Sequence, residues 1–196
     1  MNIRCITLEG RGVRLEPLTQ AHHAELCEVG LDEELWRLTT VFIRTPEDMK
    51  TYIDAAMKDF AVGKALPFAI IEKTSNKAVG STRFGNIDST HRRVEIGWTW
   101  IARQWQRTSV NTETKYLLLS HAFETLGCIR VEFKTDSANT RSRNALARIG
   151  AKEEGVFRNH MIMPGGRLRH SVYFSIIDSE WREVKRELEK KLAKVC

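Results

Sequence analysis

Long apolar runs are missing from this chain. No stretch of its 196 residues comes near the roughly eighteen consecutive apolar residues that a membrane-spanning helix needs. The first residues, Met1 to Ile6, also lack the basic start and apolar centre of a secretory signal peptide. We therefore expect a cytoplasmic protein with no membrane partner.

Cysteine is scarce and scattered. Its four positions, Cys5, Cys27, Cys128 and Cys196, form no CxxC pair and have no histidine at a zinc-ligand spacing. This pattern argues against a zinc site and indicates free thiols in a reducing compartment. Repeats, low-complexity segments and linkers are missing too, and 42% of the residues are hydrophobic. A chain of this length and composition can bury one core, so we expect a single domain over residues 1–196.

The charge is basic but not concentrated. The formal net charge is +6, and the basic residues run from Arg4 to Lys194 with acidic residues between them throughout. A nucleic-acid-binding protein usually gathers its basic residues into a patch or stripe, so this pattern does not favour a nucleic-acid partner. A basic surface would serve a small polyanion equally well. Nucleic-acid binding stays as a third hypothesis.

A strand, a polar loop and a helix follow one another in the middle of the chain. Residues Val94–Ile101 alternate as a half-buried strand does, and from Asn111 the apolar residues recur at helical spacing until Gly127. The first turn of a helix leaves main-chain N–H groups without partners, at the positive end of the helix dipole. The loop is therefore a candidate anion site, flanked by Arg103 and Arg107. The alternative is an ordinary strand-to-helix connection.

Other elements surround this unit. The strongest helix signal is Thr45–Pro46, a capping residue followed by proline at the first helical position. We predict further helices from Thr19 to Gly30, over Asp32–Leu38, over Asn139–Ile149 and from Trp181 to Leu192. The predicted strands are Val13–Leu18, Leu66–Glu72, Ala78–Ile87, Ile129–Thr135 and Leu168–Ile177, the last preceded by a turn at Met163–Gly166.

Three motifs together resemble one family. They are Glu95–Ile96–Gly97–Trp98, then Asn111–Thr112–Glu113–x–Lys115–Tyr116–Leu117–Leu118–Leu119, then Asn139–x–x–Ser142–Arg143–x–Ala145–Leu146–x–x–Ile149–Gly150–Ala151. In this order they resemble the GNAT superfamily of acyl-CoA N-acetyltransferases, in the branch of the bacterial ribosomal-protein N-acetyltransferases.

The phosphate-loop pattern of that superfamily, Gln/Arg-x-x-Gly-x-Gly/Ala, is only partly kept. Gln106 matches its first position, whereas Ser109 and Asn111 stand where the pattern has small residues. Glycine permits positive φ, and asparagine tolerates it better than serine does. Glu113 also places a negative charge in the first helical turn, close to the expected anion.

The resemblance implies a fold and a cosubstrate. The fold is of the mixed α/β (α+β) class: a mostly antiparallel sheet, flanked by helices and splayed between two parallel central strands, here Val94–Ile101 and Ile129–Thr135. The pantetheine arm of acetyl-CoA would lie in the gap, and no metal is implied. The implied acetyl-CoA-binding residues are Gly97, Trp98, Thr99, Trp100, Gln106, Arg107, Thr108, Ser109, Val110, Asn111, Thr112, Asn139 and Ser142.

Acetyl transfer from a thioester to an amine sets chemical demands. The amine must be neutral, the oxyanion needs N–H donors, and the departing thiolate benefits from a proton. Glu95 is the candidate base, because it lies on the same side of the strand as Gly97. The alternative is a cross-strand ion pair with Arg83, Arg92 or Arg93. Gly97 predicts either a bulge or room for a neighbouring aromatic ring.

Ser142 is the candidate acid, by resemblance to N-terminal acetyltransferases. Asn139 lies one turn earlier on the same helix face. The alternative for Ser142 is a hydrogen bond to the pantetheine arm or to the backbone, and Tyr116 and Tyr173 are reserve acids. The histidines have no partner at an interpretable spacing, so no triad is assigned. The early helices offer candidate pocket residues, namely Trp36, Phe42 and Tyr52.

The sequence therefore predicts an acetyl-CoA-dependent N-acetyltransferase. Its acceptor would be a primary amine, at a protein N-terminus or on a small molecule, attacking directly in a ternary complex. The alternative from another class is a noncatalytic CoA-binding regulatory module. The branch that the chain resembles often forms dimers, so a homodimer is the expected assembly.

Overall fold

A computed structural model describes residue 1 and residues 3–194, and an eight-stranded sheet forms its centre. The sheet order is β1-β2-β3-β4-β5-β6-β8-β7, and every neighbouring pair is antiparallel except β5 and β6. The strands are β1 (Leu8–Glu9), β2 (Val13–Pro17), β3 (Leu66–Glu72), β4 (Lys77–Asp88), β5 (Arg93–Ile101), β6 (Arg130–Asp136), β7 (Lys152–Ile162) and β8 (Leu168–Ile177).

Five α-helices flank the sheet within the described part of the chain. They are α1 (His23–Gly30), α2 (Pro46–Ala61), α3 (Val110–Ser120), α4 (Thr140–Arg148) and α5 (Asp178–Ala193). The start of α2 confirms its prediction, because the Thr45 hydroxyl accepts a hydrogen bond from the Asp48 N–H at 3.2 Å. A π-helical turn, His121–Thr125, continues α3 towards Gly127. None of the described helices is long and apolar enough to cross a membrane.

The two parallel strands separate along their length. β5 and β6 pair only at Arg93 with Arg130, Val94 with Val131, and Glu95 with Glu132. Beyond this point β5 continues to Ile101 along β4, and β6 continues to Asp136 along β8. A gap therefore opens between the central strands. The predicted mixed sheet, splayed between its parallel strands, is confirmed.

One face of the sheet is apolar, and the other is apolar only where helices pack against it. On the apolar face, β5 and β6 side chains such as Val94 and Phe133 share a core with residues of α3 and α5, including Leu118 and Trp181. On the other face, α1 and α2 pack against β3, the start of β4 and Trp100 near the end of β5. Among residues 1 and 3–194, no helix covers the rest of that face. We call it the open face, defined by Glu95 on β5, Glu132 and Lys134 on β6, and Tyr173 on β8.

Some local predictions need correction. The helix expected over Asp32–Leu38 is a single 3-10 turn at Glu33–Leu35. The chain turns there because Trp36, 1% exposed, enters the core of α1 and α2 and donates its indole N–H to the Gly30 carbonyl at 2.7 Å. The two-residue strand β1 was not predicted, since it is too short to show a period. Cys5, Cys27 and Cys128 are free thiols, and Cys196 lies outside the described residues.

Candidate active site

The loop between β5 and α3 presents unpaired main-chain donors. After a 3-10 turn at Arg103–Trp105, the chain extends at Gln106 and α3 begins at Val110. Within the described protein, no hydrogen bond is made by the N–H groups of Arg107, Thr108, Ser109, Asn111 and Thr112. Free donors at the positive end of a helix dipole suit an anion. The geometry therefore fits the diphosphate expected at this loop.

Side chains of the loop hold its shape. The Gln106 amide donates to the Ile101 carbonyl at 2.8 Å and accepts from the Arg141 guanidinium at 2.7 Å. The Thr108 hydroxyl donates to the Trp105 carbonyl at 2.7 Å. Gln106, the one strict match to the family pattern, thus ties β5 to the first turn of α4. Its side chain supports the loop from within the protein.

The unusual backbone conformation falls on Arg107. Its φ is 64°, in the left-handed region, while Ser109 has a φ of −67°. Asn111 lies inside α3 and is not among the residues with positive φ. The tolerance of asparagine for positive φ is therefore not needed at position 111. Ser109 and Asn111 can replace glycine because their positions in this loop are ordinary right-handed ones.

Glu113 does not face the loop. Its carboxylate accepts the N–H groups of Arg11 and Gly12, the latter at 3.1 Å, in the turn between β1 and β2. The residue is 6% exposed. Its negative charge is thereby stabilised by the main-chain donors of that turn, away from the loop. The conflict that the sequence suggested between Glu113 and a bound anion does not arise.

A bulge distorts β5 where it leaves β6. Ser81 pairs with Trp100 and Arg83 with Gly97, so β5 has one more residue than β4 in this interval. Trp98 takes a φ of 50° there. The bulge predicted near Gly97 is confirmed, one residue later. The Arg83 guanidinium lies 4.9 Å from the centre of the Trp98 ring, whereas the next residue, Thr99, meets the Lys115 ammonium of α3 at 2.9 Å.

Two glycines leave space around this bulge. A Cβ at Gly97 would lie 2.9 Å from a Glu95 carboxylate oxygen, so this glycine makes room for Glu95. The aromatic ring is accommodated elsewhere: a Cβ at Gly85 would lie 2.3 Å from the Trp98 ring. The alternative that Gly97 makes room for an aromatic is therefore wrong.

Glu95 lies at the point of separation and is 4% exposed. Its Oε2 accepts the Asn86 amide at 2.7 Å and lies 3.6 Å from the Lys134 ammonium. Its Oε1 has no hydrogen-bond partner within the described protein. Glu95 is thus held by one oxygen and free at the other, which suits a base.

The three arginines proposed as alternative partners of Glu95 bind elsewhere. Arg83 pairs with Asp59 at 3.5 Å, Arg92 donates to the Gly127 carbonyl at 2.9 Å, and Arg93 pairs with Asp88 at 3.1 Å. The arginine alternative is wrong. The cross-strand cation of Glu95 is a lysine of β6.

A groove of about 880 Å³ lies along the open face beside Glu95. Its charged lining residues are four carboxylates and two arginines, and the arginines pair with every carboxylate except Glu95. The rings of Phe157 and Tyr173 complete the lining. The Arg130 guanidinium, above all, holds the pKa of Glu154 at about 2, so this carboxylate is ionised at neutral pH. Burial raises the pKa of Tyr173, and the nearby charges of Glu95 and Glu132 raise it further, so its phenol stays protonated. Glu95 is therefore the groove carboxylate that no arginine neutralises.

The two reserve acids stand on different sides of the sheet. Tyr173 lines the groove, whereas the Tyr116 hydroxyl donates to Glu189 of α5 at 2.9 Å. Tyr116 is therefore bound within the helix layer. In the described part of the chain, no group of three or more His, Cys, Asp or Glu side chains could hold a metal ion.

The first turn of α4 carries Ser142 and Asn139. The Asn139 side chain caps the helix by accepting the Ser142 N–H at 3.0 Å. The Ser142 hydroxyl, on a half-buried residue, has no hydrogen-bond partner among the described residues. Arg141 joins this turn to the loop through Gln106. Ser142 is thus available to a ligand, and the oxygen of Asn139 is already in use.

Lys115 is a residue whose placement the sequence analysis missed. Its ammonium lies 2.9 Å from the Thr99 hydroxyl of β5 and 5.6 Å from the centre of the Phe133 ring of β6, so it bridges the two separated strands. Burial lowers the pKa of Lys115 to about 7. The sequence contains an indication that Lys115 is buried, because it lies on the same helical face as the apolar residues Leu118, Leu119 and Ala122.

The predicted pocket residues differ in position. The Tyr52 hydroxyl contacts Ser81 at 2.8 Å and the Trp98 carbonyl at 3.4 Å, so it supports the bulge. Trp36 is a core residue of the α1 and α2 layer, and Phe42 packs against the same core. Of the three, Tyr52 reaches the site.

Comparison with known proteins is consistent with this geometry. The Acetyltransferase (GNAT) domain family matches residues 13–152. A GCN5-related N-acetyltransferase from Brucella melitensis superposes with a TM-score of 0.89 at 33% identity, over 96% of this chain and 86% of that one. RimJ of Mycobacterium smegmatis, solved in complex with CoA-disulfide, superposes with a TM-score of 0.79 at 22% identity, over 95% of this chain and 93% of that one. At that identity the RimJ likeness shows the shared fold alone.

A curated relative shares part of the sequence. The protein of Bacillus subtilis (strain 168) that carries the provisional name ribosomal N-acetyltransferase YdaF is 34% identical over 103 residues. The match covers 52% of this chain and 55% of YdaF, so the chain aligns with about half the length of that relative.

Proposed function

The chain belongs to the GNAT acetyltransferase family, whose members use acyl-CoA, and from this premise we propose that it transfers an acetyl group from acetyl-CoA to a primary amine. The amine attacks directly in a ternary complex. One observation carries the proposal: free main-chain donors and a buried carboxylate stand at the two ends of one gap between β5 and β6.

Main-chain groups would hold the acetyl donor. The unpaired N–H groups between Arg107 and Thr112 suit its phosphates. Beyond Glu95, the edge of β5 from Gly97 to Trp100 is not paired with β6, so it is open to the pantetheine arm. Acetyl-CoA supplies the reactive thioester when it is bound.

Glu95 is the proposed base. Asn86 and Lys134 fix its Oε2, and the free Oε1 takes the proton of the acceptor amine, directly or through water. The groove beside it gives the acceptor amine a path to this carboxylate. Burial of Glu95 excludes bulk water from this proton transfer.

Ser142 is the proposed acid. Its free hydroxyl lies in the first turn of α4, which Arg141 joins to the loop. It would donate a proton to the departing sulfur. Tyr173, a protonated phenol in the groove, is the second candidate for this role.

The acceptor is a protein N-terminus or a small amine. The name of YdaF favours the protein acceptor. We also propose that residues 1–196 work as one acetyltransferase domain, in the cytoplasm and as a homodimer, as the resemblance to the ribosomal-protein branch implies.

The direct test is thiol release. The protein is mixed with acetyl-CoA and a panel of peptide N-termini and small amines, and free CoA thiol is measured together with the mass of the product. Acetylated amine formed in step with thiol supports the proposal. Tight binding of acetyl-CoA without thiol release, across the panel and with a whole-cell extract as acceptor, would establish the regulatory module instead.

A further inference from the structure

Arg169 of β8 is buried on the open face. It lies two residues before Ser171, which pairs with Asp136 at the end of β6. Its Nε donates to the Ser171 hydroxyl at 3.1 Å, and both side chains are therefore on the same face as Tyr173. Arg169 is only 5% exposed. A guanidinium is thus enclosed at the edge of the gap between β5 and β6.

This guanidinium lacks a carboxylate in contact. Apart from the bond to Ser171, it forms no hydrogen bond or ion pair within the described protein. Asp136 is occupied by the Arg167 guanidinium and by the Ala138 N–H, the latter at 2.9 Å. Glu95 is occupied by Asn86 and Lys134. The carboxylates nearest to Arg169 are therefore already bound to other groups.

The charges around the Arg169 guanidinium do not include an anion in direct contact with it. Burial lowers the pKa of Arg169, and the charges of Asp136 and Glu95 oppose this shift without direct contact. The two terminal guanidinium nitrogens have no hydrogen-bond partner in the described protein and are not fully buried, so a small part of their surface is accessible. A nearly buried cation without a paired anion is costly. Guanidinium groups bind carboxylates in a two-pronged geometry, which would remove this cost.

We propose that Arg169 binds a carboxylate of the acceptor. The inference rests on the proposed function: Glu95 receives the acceptor amine, and Arg169, on the same face, receives an anion of the same molecule. The acceptor class is then an amine with a carboxylate close to it. Two sources have this chemistry, a free α-amino acid and a peptide whose first residue is acidic.

The experiment uses the full chain, acetyl-CoA and two matched acceptor pairs. The first pair is alanine and alaninamide, and the second is a tripeptide amide that begins with aspartate and the same peptide beginning with asparagine. Within each pair only the carboxylate changes. Since the amines of a pair differ in basicity, the decisive quantity is the ratio of their kcat/KM values, compared between the wild type and variants.

Arg169→Gln removes the charge at a similar length. We expect it to lower the carboxylate-to-amide ratio by about tenfold or more in at least one pair, because a charge-assisted hydrogen bond is lost. Arg169→Lys should keep part of the preference. Arg158→Gln, at an exposed arginine of β7, is the matched control and should leave the ratio unchanged.

The outcomes separate the two hypotheses. An equal loss for both members of each pair in Arg169→Gln, which leaves the carboxylate-to-amide ratio at its wild-type value, overturns the role of Arg169. Absence of transfer to any amine tested overturns the proposed function itself. If Arg169→Gln does not fold, the ratio in Arg169→Lys decides: a ratio below the wild-type ratio supports the inference, and an unchanged ratio overturns it. The pair that shows the preference identifies the source of the carboxylate.

Discussion

The two sides of the gap are built from different parts of the chain. At the loop before α3, main-chain N–H groups face outward, and side chains such as Gln106 and Glu113 are bound inside the protein. On the open face the reverse holds, because the roles proposed for Glu95 and Tyr173 depend on their side chains. A site made of backbone depends on loop shape and tolerates changes of residue. A site made of side chains depends on residue identity.

The largest expected effect comes from the side-chain region. Glu95→Gln keeps the shape and removes the base, so kcat/KM should fall about a hundredfold to ten-thousandfold, the usual contribution of a general base. Binding of CoA should change less than threefold. The measurements are thiol release and calorimetric titration with CoA. Glu189→Gln, on α5 behind the sheet, is the control, and a similar fall in that variant would point to a general loss of structure.

Lys115 lies between the loop and the open face, so a substitution there tests whether the two regions differ as described. Its pKa is lowered to about 7, so between about pH 7 and pH 10 the folded protein binds fewer protons than the unfolded chain does. Wild-type stability should therefore rise with pH over this window. Lys115→Met removes the buried amine and should raise the free energy of unfolding by about 2 kcal/mol or more at pH 6, and by less at pH 9.

Urea unfolding at both pH values measures this difference. Lys64→Met, at an exposed lysine, should show no such pH dependence. If Lys115→Met is instead destabilised equally at both pH values, the amine carries the same charge in the folded and unfolded states, so its pKa is not lowered by folding, and the loss of the Thr99 hydrogen bond dominates. A large loss of CoA binding in Lys115→Met would contradict the comparison, because the CoA-binding region would then depend on a side chain as well as on main-chain N–H groups.

Local elements were predictable from sequence, and the partners across the sheet were not. Thr45 begins its helix and Leu66–Glu72 forms its strand as predicted, because both signals lie within a few residues. The partner of Glu95 depends on the parallel pairing of β5 with β6, whose residues lie far apart in sequence. Lys134 therefore could not be identified in place of an arginine.

The loop shows the same limit. Its position between strand and helix followed from the change of period, yet the residue with positive φ did not. That conformation falls on Arg107, where residue type gives no indication of it. Arg169 could not be identified from the sequence either. In β8 the polar residues Arg169 and Ser171 are buried while Leu168 and His170 are exposed, so burial along this part of the strand does not follow polarity.

A charge placed beside the free donors should have a moderate effect. Asn111→Asp adds a negative charge in the first turn of α3, and we expect CoA to bind about fivefold more weakly at low ionic strength. Added salt should reduce the difference by screening. Titration calorimetry at two salt concentrations measures it. Asn144→Asp, on an exposed position of α4, is the matched control; an unchanged affinity in Asn111→Asp would place the phosphates elsewhere.

The smallest effects concern the glycines that this loop lacks. Ser109 has a right-handed φ of −67°, so Ser109→Gly gains no needed freedom: CoA affinity should stay within about twofold and stability should fall by about 0.5 kcal/mol. Arg107, with a φ of 64°, is the opposite case, and Arg107→Gly should raise the free energy of unfolding by about 0.5 to 1 kcal/mol. Urea unfolding of the two variants compares them directly. If stability falls in Ser109→Gly and rises in Arg107→Gly, the strained backbone position of this loop is at Arg107. A gain in CoA affinity in Ser109→Gly would instead mean that the glycine of the family pattern is still needed at position 109.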